Sequence, residues 1–276
     1  MKTADTNTDM NFIRHYLLAL QFFTRIPITG KLADWVGYSP AMLRASAAHF
    51  PGVGALVGAC TGFCFWGIYQ LLPHYSAGVW VAAFLSTVLG VMLTGAFHED
   101  GLADLSDGLG GHVSREKSLD IMKDSRIGTY GAVALVLALF GKIALLTLLG
   151  QVDIFIAALA LFAAHISSRL MPLFLILYLP HVGDTPQSKS KPLAESISLS
   201  ALLVAMLWWL AGMGLVWYLQ ADRMWVAGVS GSVLALLWMW RFLKVRLQGF
   251  TGDALGATQQ LSELGFYLAV LLSLGP

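Results

Sequence analysis

Charge is scarce in this 276-residue chain: Asp, Glu, Lys and Arg make up 12% of it, against 57% hydrophobic residues and a mean hydropathy of +0.70. Soluble domains carry about 25% charged residues, so this scarcity excludes an ordinary water-soluble globule and points to a membrane protein. The net charge of +1 supplies no basic field for nucleic acid, and none is expected as a partner. Only two cysteines occur, Cys60 and Cys64, one helical turn apart in an apolar run. That placement excludes a disulfide framework and reads as two small core residues. A cleaved export signal is not expected here either, because MKTADTNTDMNF has no positive region running into an apolar core. This stretch is expected to be a short cytosolic tail.

Long apolar runs, by contrast, recur along the chain. A bilayer core about 30 Å thick needs ~20 apolar residues in a helix, and seven stretches approach that length: 52–72, 77–97, 127–150, 154–180, 197–219, 224–243 and 255–275. The expected fold is all-α, a polytopic membrane bundle of about seven transmembrane helices. Ahead of it, 12–23 presents a hydrophobic face interrupted by Arg14, His15 and Gln21, the pattern of an amphipathic helix lying in the interface. Two parts are expected: 1–51, a cytosolic tail with the interfacial helix, and 52–276, a single transmembrane catalytic bundle carrying a cytosolic loop at 98–126.

The connections PHYS, QVD and QADR are short enough to be tight helical hairpins on one side of the membrane. Fourteen of the 17 lysines and arginines fall on the other side, Arg223 lies with the hairpins, and Lys142 and Arg169 lie within spans. The positive-inside rule then turns the long connections toward the cytoplasm. The expected location is a bacterial inner membrane, multi-pass, with lipid as an unavoidable partner; a homo-oligomer is left open.

What charge there is gathers in one place. FHEDGLADLSDGLGGHVSREKSLDIMKDSRIGTYG, 97–131, holds seven of the 16 acidic residues. Asp100, Asp104 and Asp107 are four and three apart, which puts three carboxylates on one face of a helix. Like charges so placed repel unless a cation compensates, and a hard divalent ion, Mg²⁺ above all, is the natural partner for oxygen ligands. The simpler alternative is a solvated helix end. Downstream, Asp120 and Asp124 repeat the four-residue spacing, and Lys123, Ser125 and Arg126 precede the glycine-punctuated start of the third span, as an anion-binding helix start would require. Arg115, Lys117, Lys123 and Arg126 also serve as topology signals. A second polar cluster, QGFTGDALGATQQLSE at 248–263, places Asp253, Gln260 and Glu263 toward one side of a helix. Acidic groups at the cytosolic ends of two helices suit a shared metal site, although Asp253 also suits a helix cap. Within the membrane, Lys142 lies near enough to the outer end to snorkel. His165 and Arg169, four apart, lie deeper, and Arg169 is expected to meet an interior phosphate or carboxylate.

Five pieces carry a family resemblance: FFTRIPI at 22–28, FPGVGALVGA at 50–59, HEDGLADLSDGLGG at 98–111, IMKDSRIGTYG at 121–131 and GFTGDALGA at 249–257. Together, and in this order, they resemble the cobalamin synthase (adenosylcobinamide-GDP ribazoletransferase) family. The resemblance implies a transferase in which a hydroxyl of α-ribazole, or of its 5′-phosphate, attacks the phosphorus bonded to cobinamide in adenosylcobinamide-GDP, so that GMP leaves. Mg²⁺ is the implied cofactor, held by Asp100, Asp104, Asp107 and Asp253, with Glu99 beside them. Lys123 and Arg126 would contact phosphate oxygens, and Asp124 would accept the proton of the attacking hydroxyl. Further substrate contacts are implied for Arg25, Ser125, Gly128, Thr129, Arg169, Thr251 and Gly252. DGLAD at 100–104 followed by DIMKD at 120–124 is loosely similar to the aspartate motif of the membrane CDP-alcohol phosphotransferases, which makes these the nearest competing reading. An ion-coupled transporter using Lys142, His165 and Arg169 is the alternative of another class, but it calls for internal repeats that the sequence does not display.

Overall fold

A computed structural model describes residues 5–72, 77–183 and 196–275. Among these, ordered structure is helical apart from one isolated parallel bridge between His181 and Phe250. Three short or amphipathic helices come first: α1 (Asp5–Phe23), α2 (Gly30–Val36) and α3 (Pro40–Ser46). Through a 3₁₀ turn at Ala47–His49, α3 runs into α4 (Phe50–Leu71), and α5 (Gly78–Thr94), α6 (Phe97–Gly110) and α7 (Arg115–Met122) follow. The remaining helices are α8 (Thr129–Val152), α9 (Ile154–Tyr178), α10 (Leu199–Leu219), α11 (Met224–Arg246) and α12 (Gly252–Ser273). The boundary expected at 51/52 falls inside α4. Lys2, Lys189, Lys191 and the PHYS connection lie outside the described residues.

Five helical stretches are long and apolar enough to cross a membrane, Pro40–Leu71 and helices α8 to α11, and a sixth arises if α5 and α6 form one broken span. The chain is thus a multi-pass helical membrane bundle, with a count that differs from the expected seven for a physical reason. Helix α12, the expected span 255–275, has the length but carries Asp253, Gln259, Gln260 and Glu263 in its first half, where the last three are buried inside the bundle. Those three are satisfied by protein, so composition alone does not mark it as a span. The lipid-facing character of the others is plain in Leu203, Leu207, Leu210, Leu234, Leu237 and Trp238, large apolar side chains left exposed.

At the centre lies α9, nearly all of whose residues from Leu159 to Ile176 are buried. It packs antiparallel along α4 through a seam of glycines. A Cβ added to Gly54, Gly58 or Gly62 would collide with the His165 carbonyl oxygen, Phe162 Cα and the Ala158 carbonyl oxygen, respectively. Small residues four apart let two backbones touch, and here the contact seats His165 and Arg169 of α9 against the glycines of α4. Cys60 and Cys64, on the same helix, are half-buried free thiols rather than core residues. The QVD and QADR hairpins are as tight as expected. Asp153 Oδ1 accepts the amides of Phe155 and Ile156 at 2.7 and 3.0 Å, and Asp222 Oδ1 accepts that of Met224 at 2.8 Å.

Two devices position the acidic segment. The expected loop 98–126 is in fact two helices, because Leu102, Leu105 and Leu109 give α6 an apolar face that it buries against the bundle. Helix α6 turns 88° from α5 at Gly95 and Ala96, both in the left-handed region with φ of 65° and 59°. Such a conformation is uncommon for a residue with a Cβ, so the turn is held by its surroundings. The far end of the segment is clasped to the α11–α12 connection by two reciprocal hydrogen bonds, Arg115 Nε to the Leu247 carbonyl at 2.6 Å and Arg246 Nη2 to the Gly111 carbonyl at 2.9 Å.

Candidate active site

Helix α12 begins against α6. Its N-cap Thr251 accepts the Ala254 amide at 3.2 Å, and its hydroxyl donates to Asp253 Oδ2 at 3.4 Å. Contact between the two helices is close enough that a Cβ at Gly101 would meet the Asp253 carbonyl oxygen at 2.8 Å, and one at Gly256 would meet the His98 carbonyl oxygen at 3.2 Å. A glycine on each helix therefore brings Asp253 beside the acidic face of α6. The half-buried carboxylate of Asp104 is repelled by those of Asp253, Asp100 and Asp107, in that order, and Asp253 is repelled in turn by Asp100. No salt bridge offsets this repulsion among the described residues.

Not all the expected ligands share this face equally. Asp107 is already engaged, its Oδ2 and Oδ1 accepting the amides of Gly128 and Gly131 at 2.7 and 2.8 Å. It thus caps α8 from another helix, and a Cβ on either glycine would collide with its carboxylate oxygens. Glu99 points elsewhere: it is buried, its Oε1 accepts from Gln260 at 3.1 Å, and its Oε2 has no partner. Among the described residues no three His, Cys, Asp or Glu side chains converge closely enough to hold a metal ion. The donor set that fits a hard divalent cation is Asp100, Asp104 and Asp253: oxygen ligands only, without a cationic partner, on two helices in contact. The fit is one of charge and donor chemistry, and an ion would have to draw these carboxylates together.

The basic residues lie toward solvent. Lys123, Ser125, Gly128 and Thr129 are exposed around the start of α8. Arg126, its side chain 86% exposed, grips Asp124 through Nη2 to Oδ2 at 2.6 Å and through Nε at 3.0 and 3.1 Å. These bonds, with the Arg126 backbone amide, hold the Asp124 carboxyl down at about 2, which makes it a weak proton acceptor and speaks against the expected base role. Arg25 is exposed beside the α5–α6 turn, where a Cβ at Gly95 would collide with its Nε.

Deeper in the bundle is a polar cluster that the sequence marks only in fragments. Lys142 does not snorkel; it is buried and forms a salt bridge with Glu263 of α12. Glu263 also accepts from Gln259 at 2.8 Å and Tyr267 at 2.9 Å, with His165 Nδ1 3.6 Å away. Arg169 Nη1 lies 2.9 Å from His165 Nδ1 and 3.1 Å from the His165 carbonyl. The signal for this cluster is four ionisable residues in three apolar helices; buried charges survive by meeting one another.

The structure thus offers a face of carboxylates without a cationic partner, with exposed basic residues at the start of the neighbouring helix α8. The sequence profile described as "Cobalamin-5-phosphate synthase" matches residues 15–271, nearly the whole chain. The chain belongs to the cobalamin-5-phosphate synthase family. Members of the family from other bacteria align along its full length. A protein of Polaromonas sp. (strain JS666 / ATCC BAA-500) named adenosylcobinamide-GDP ribazoletransferase is 54% identical over 281 residues, covering 97% of this chain and 100% of its own. Proteins of the same name from Leptothrix cholodnii and Vibrio cholerae are 45% and 41% identical, covering 94% and 93% of this chain and 95% and 92% of theirs. No solved structure matches the chain. Every segment of the synthase that forms the candidate site, from α6 to the start of α12, lies inside the matched span.

Proposed function

We propose that this chain is an adenosylcobinamide-GDP ribazoletransferase: it joins the cobinamide phosphate of adenosylcobinamide-GDP to α-ribazole or its 5′-phosphate and releases GMP. The observation that carries this reading is the near-complete match to the synthase family together with the unpaired carboxylate face built by α6 and α12. Asp100, Asp104 and Asp253 hold Mg²⁺, and Asp107 fixes the neighbouring start of α8. When bound, the ion neutralises charge on the pyrophosphate and on the departing phosphate. Lys123 and Arg126 contact phosphate oxygens, while Ser125, Gly128 and Thr129 offer donors at the start of α8. Arg25, Thr251 and Gly252 border the substrate from the opposite side. A new bond forms between the ribazole hydroxyl oxygen and the cobinamide phosphorus as the bond to GMP breaks, and the hydroxyl proton passes to a carboxylate of the α6–α12 face. Asp124 holds Arg126 in place. The reading includes a site facing the cytoplasm from a bacterial inner membrane, which the distribution of basic residues supports.

Purified protein in detergent, incubated with adenosylcobinamide-GDP, α-ribazole and Mg²⁺, is expected to release GMP, and chelation of Mg²⁺ is expected to stop release until the ion is restored. Release of CMP from a CDP-linked lipid, with no GMP, would favour the phospholipid-forming alternative.

A further inference from the structure

Beside Asp253 lies a pocket of a different character. Its walls include Phe22, Phe23, Phe50 and Phe97, and Arg169 and Gln259 reach it from α9 and α12. The rings pack edge to face: Phe23 on Phe50 with centroids 4.1 Å apart, Phe23 on Phe97 at 5.5 Å and Phe22 on Phe97 at 5.6 Å. Gly252, which precedes Asp253, lines the same pocket, so whatever enters it abuts the carboxylate face.

Three polar side chains reach the pocket: Gln259, Arg169 and His98, the last stacked on Phe23 and edge-on to Phe97. Gln259 donates to Ser168 at 2.9 Å and Glu263 at 2.8 Å and accepts from Gln260 at 3.0 Å. Among the pocket's side chains, Arg169 has the one fully buried polar atom without a hydrogen-bond partner, its Nε, although the residue is only 4% exposed. A buried donor without a partner in an aromatic box suits an acceptor on an apolar, flat ligand.

We infer that this pocket receives the base of the nucleoside acceptor, a fused, largely apolar heteroaromatic ring with a single free ring nitrogen that accepts from Arg169 Nε. The inference rests on the proposed transfer reaction and assigns which of its two substrates enters here. Guanine does not fit, since most of its several donors and acceptors would go unpaired among phenylalanines. The cavity measures about 30 Å³, whereas a cavity of about 150 Å³ holds a benzene, so the base enters by displacing the rim. Phe97, 39% exposed, is the most exposed of the four rings.

The test is equilibrium binding to the intact purified protein of α-ribazole and of its analogue in which the free ring nitrogen is replaced by C–H. Wild type is expected to bind α-ribazole roughly tenfold more tightly than the analogue, as one hydrogen bond to a charged donor predicts, and Arg169→Lys is expected to erase that preference. Phe97→Ala, with folding checked by its melting temperature, is expected to weaken both nucleosides by about tenfold and leave adenosylcobinamide-GDP binding unchanged. Equal binding of the two nucleosides by wild type, or a Phe97→Ala effect confined to adenosylcobinamide-GDP, overturns the inference while GMP release still stands. Absence of GMP release by wild type overturns the reaction itself.

Discussion

The acidic side chains of this protein live in two settings, both served by α12. At its start, Asp253 faces Asp100 and Asp104 of α6 with no cation among them. About three turns further along, Glu263 is buried and saturated, by the Lys142 ammonium, Gln259, Tyr267 and the nearby His165. The same charge is thus left exposed to repulsion at one end of a helix and fully answered at the other. A buried carboxylate must be paired for the bundle to form; one at the membrane face can be left unanswered, and the repulsion it carries becomes affinity for whatever cation arrives. One end of α12 is built for stability and the other for binding.

The widest separation between the two settings should come from removing the paired charge. Glu263→Gln strands Lys142 in the interior, and thermal melting in detergent should register a loss of about 3–5 kcal/mol. Adding Lys142→Met should recover part of it, and an unchanged melting point in the single variant would show that the cluster does not hold the bundle. Asp104→Asn should do the reverse. GMP release should fall roughly a hundredfold, about 2.7 kcal/mol in the barrier, with melting unchanged or raised because a repulsive charge is gone; normal Mg²⁺-dependent turnover would remove the metal role from this face. Asp107→Ala belongs between the two, since it frees two backbone amides at the start of α8. A stability loss of about 1–3 kcal/mol is expected, with faster hydrogen exchange at Gly128 and Gly131. The smallest effect is expected from Asp124→Asn, with GMP release within about twofold, as for many exposed ion pairs. Its carboxyl is depressed to about 2 by Arg126, so any contribution of this pair is present above the ordinary carboxylate range and is lost only as the pH falls toward that value. A hundredfold loss of release would return Asp124 to the role of base.

Local periodicity makes much of this legible in the sequence. The four-and-three spacing of Asp100, Asp104 and Asp107 places them on one face, and the polar start of α12 points to Asp253 as a distant partner. The membrane class follows from composition, and the hairpins from loop length. Tertiary contacts are not legible. Nothing near Asp107 in sequence announces that it caps a helix starting about 21 residues later, and nothing near Lys142 names Glu263. The apparent loop 98–126 hides two helices because its glycines and acids outweigh the few leucines that anchor α6. Its glycines, at Gly101 especially, mark where another backbone passes rather than where the chain is loose.

The paired bonds from Arg115 to Leu247 and from Arg246 to Gly111 have a bearing on the repulsion beside them. They act as a hinge pin on one border of the site, tying the α6–α7 turn to the α11–α12 turn so that the two move as one leaf. The opposite border is tied in another way: the Arg25 amide donates to the Leu93 carbonyl at 2.7 Å, and Phe97 packs edge to face on Phe22 and Phe23. Both borders of the carboxylate face are therefore anchored to neighbouring helices, so the acids that repel one another cannot relieve their charge by drifting apart.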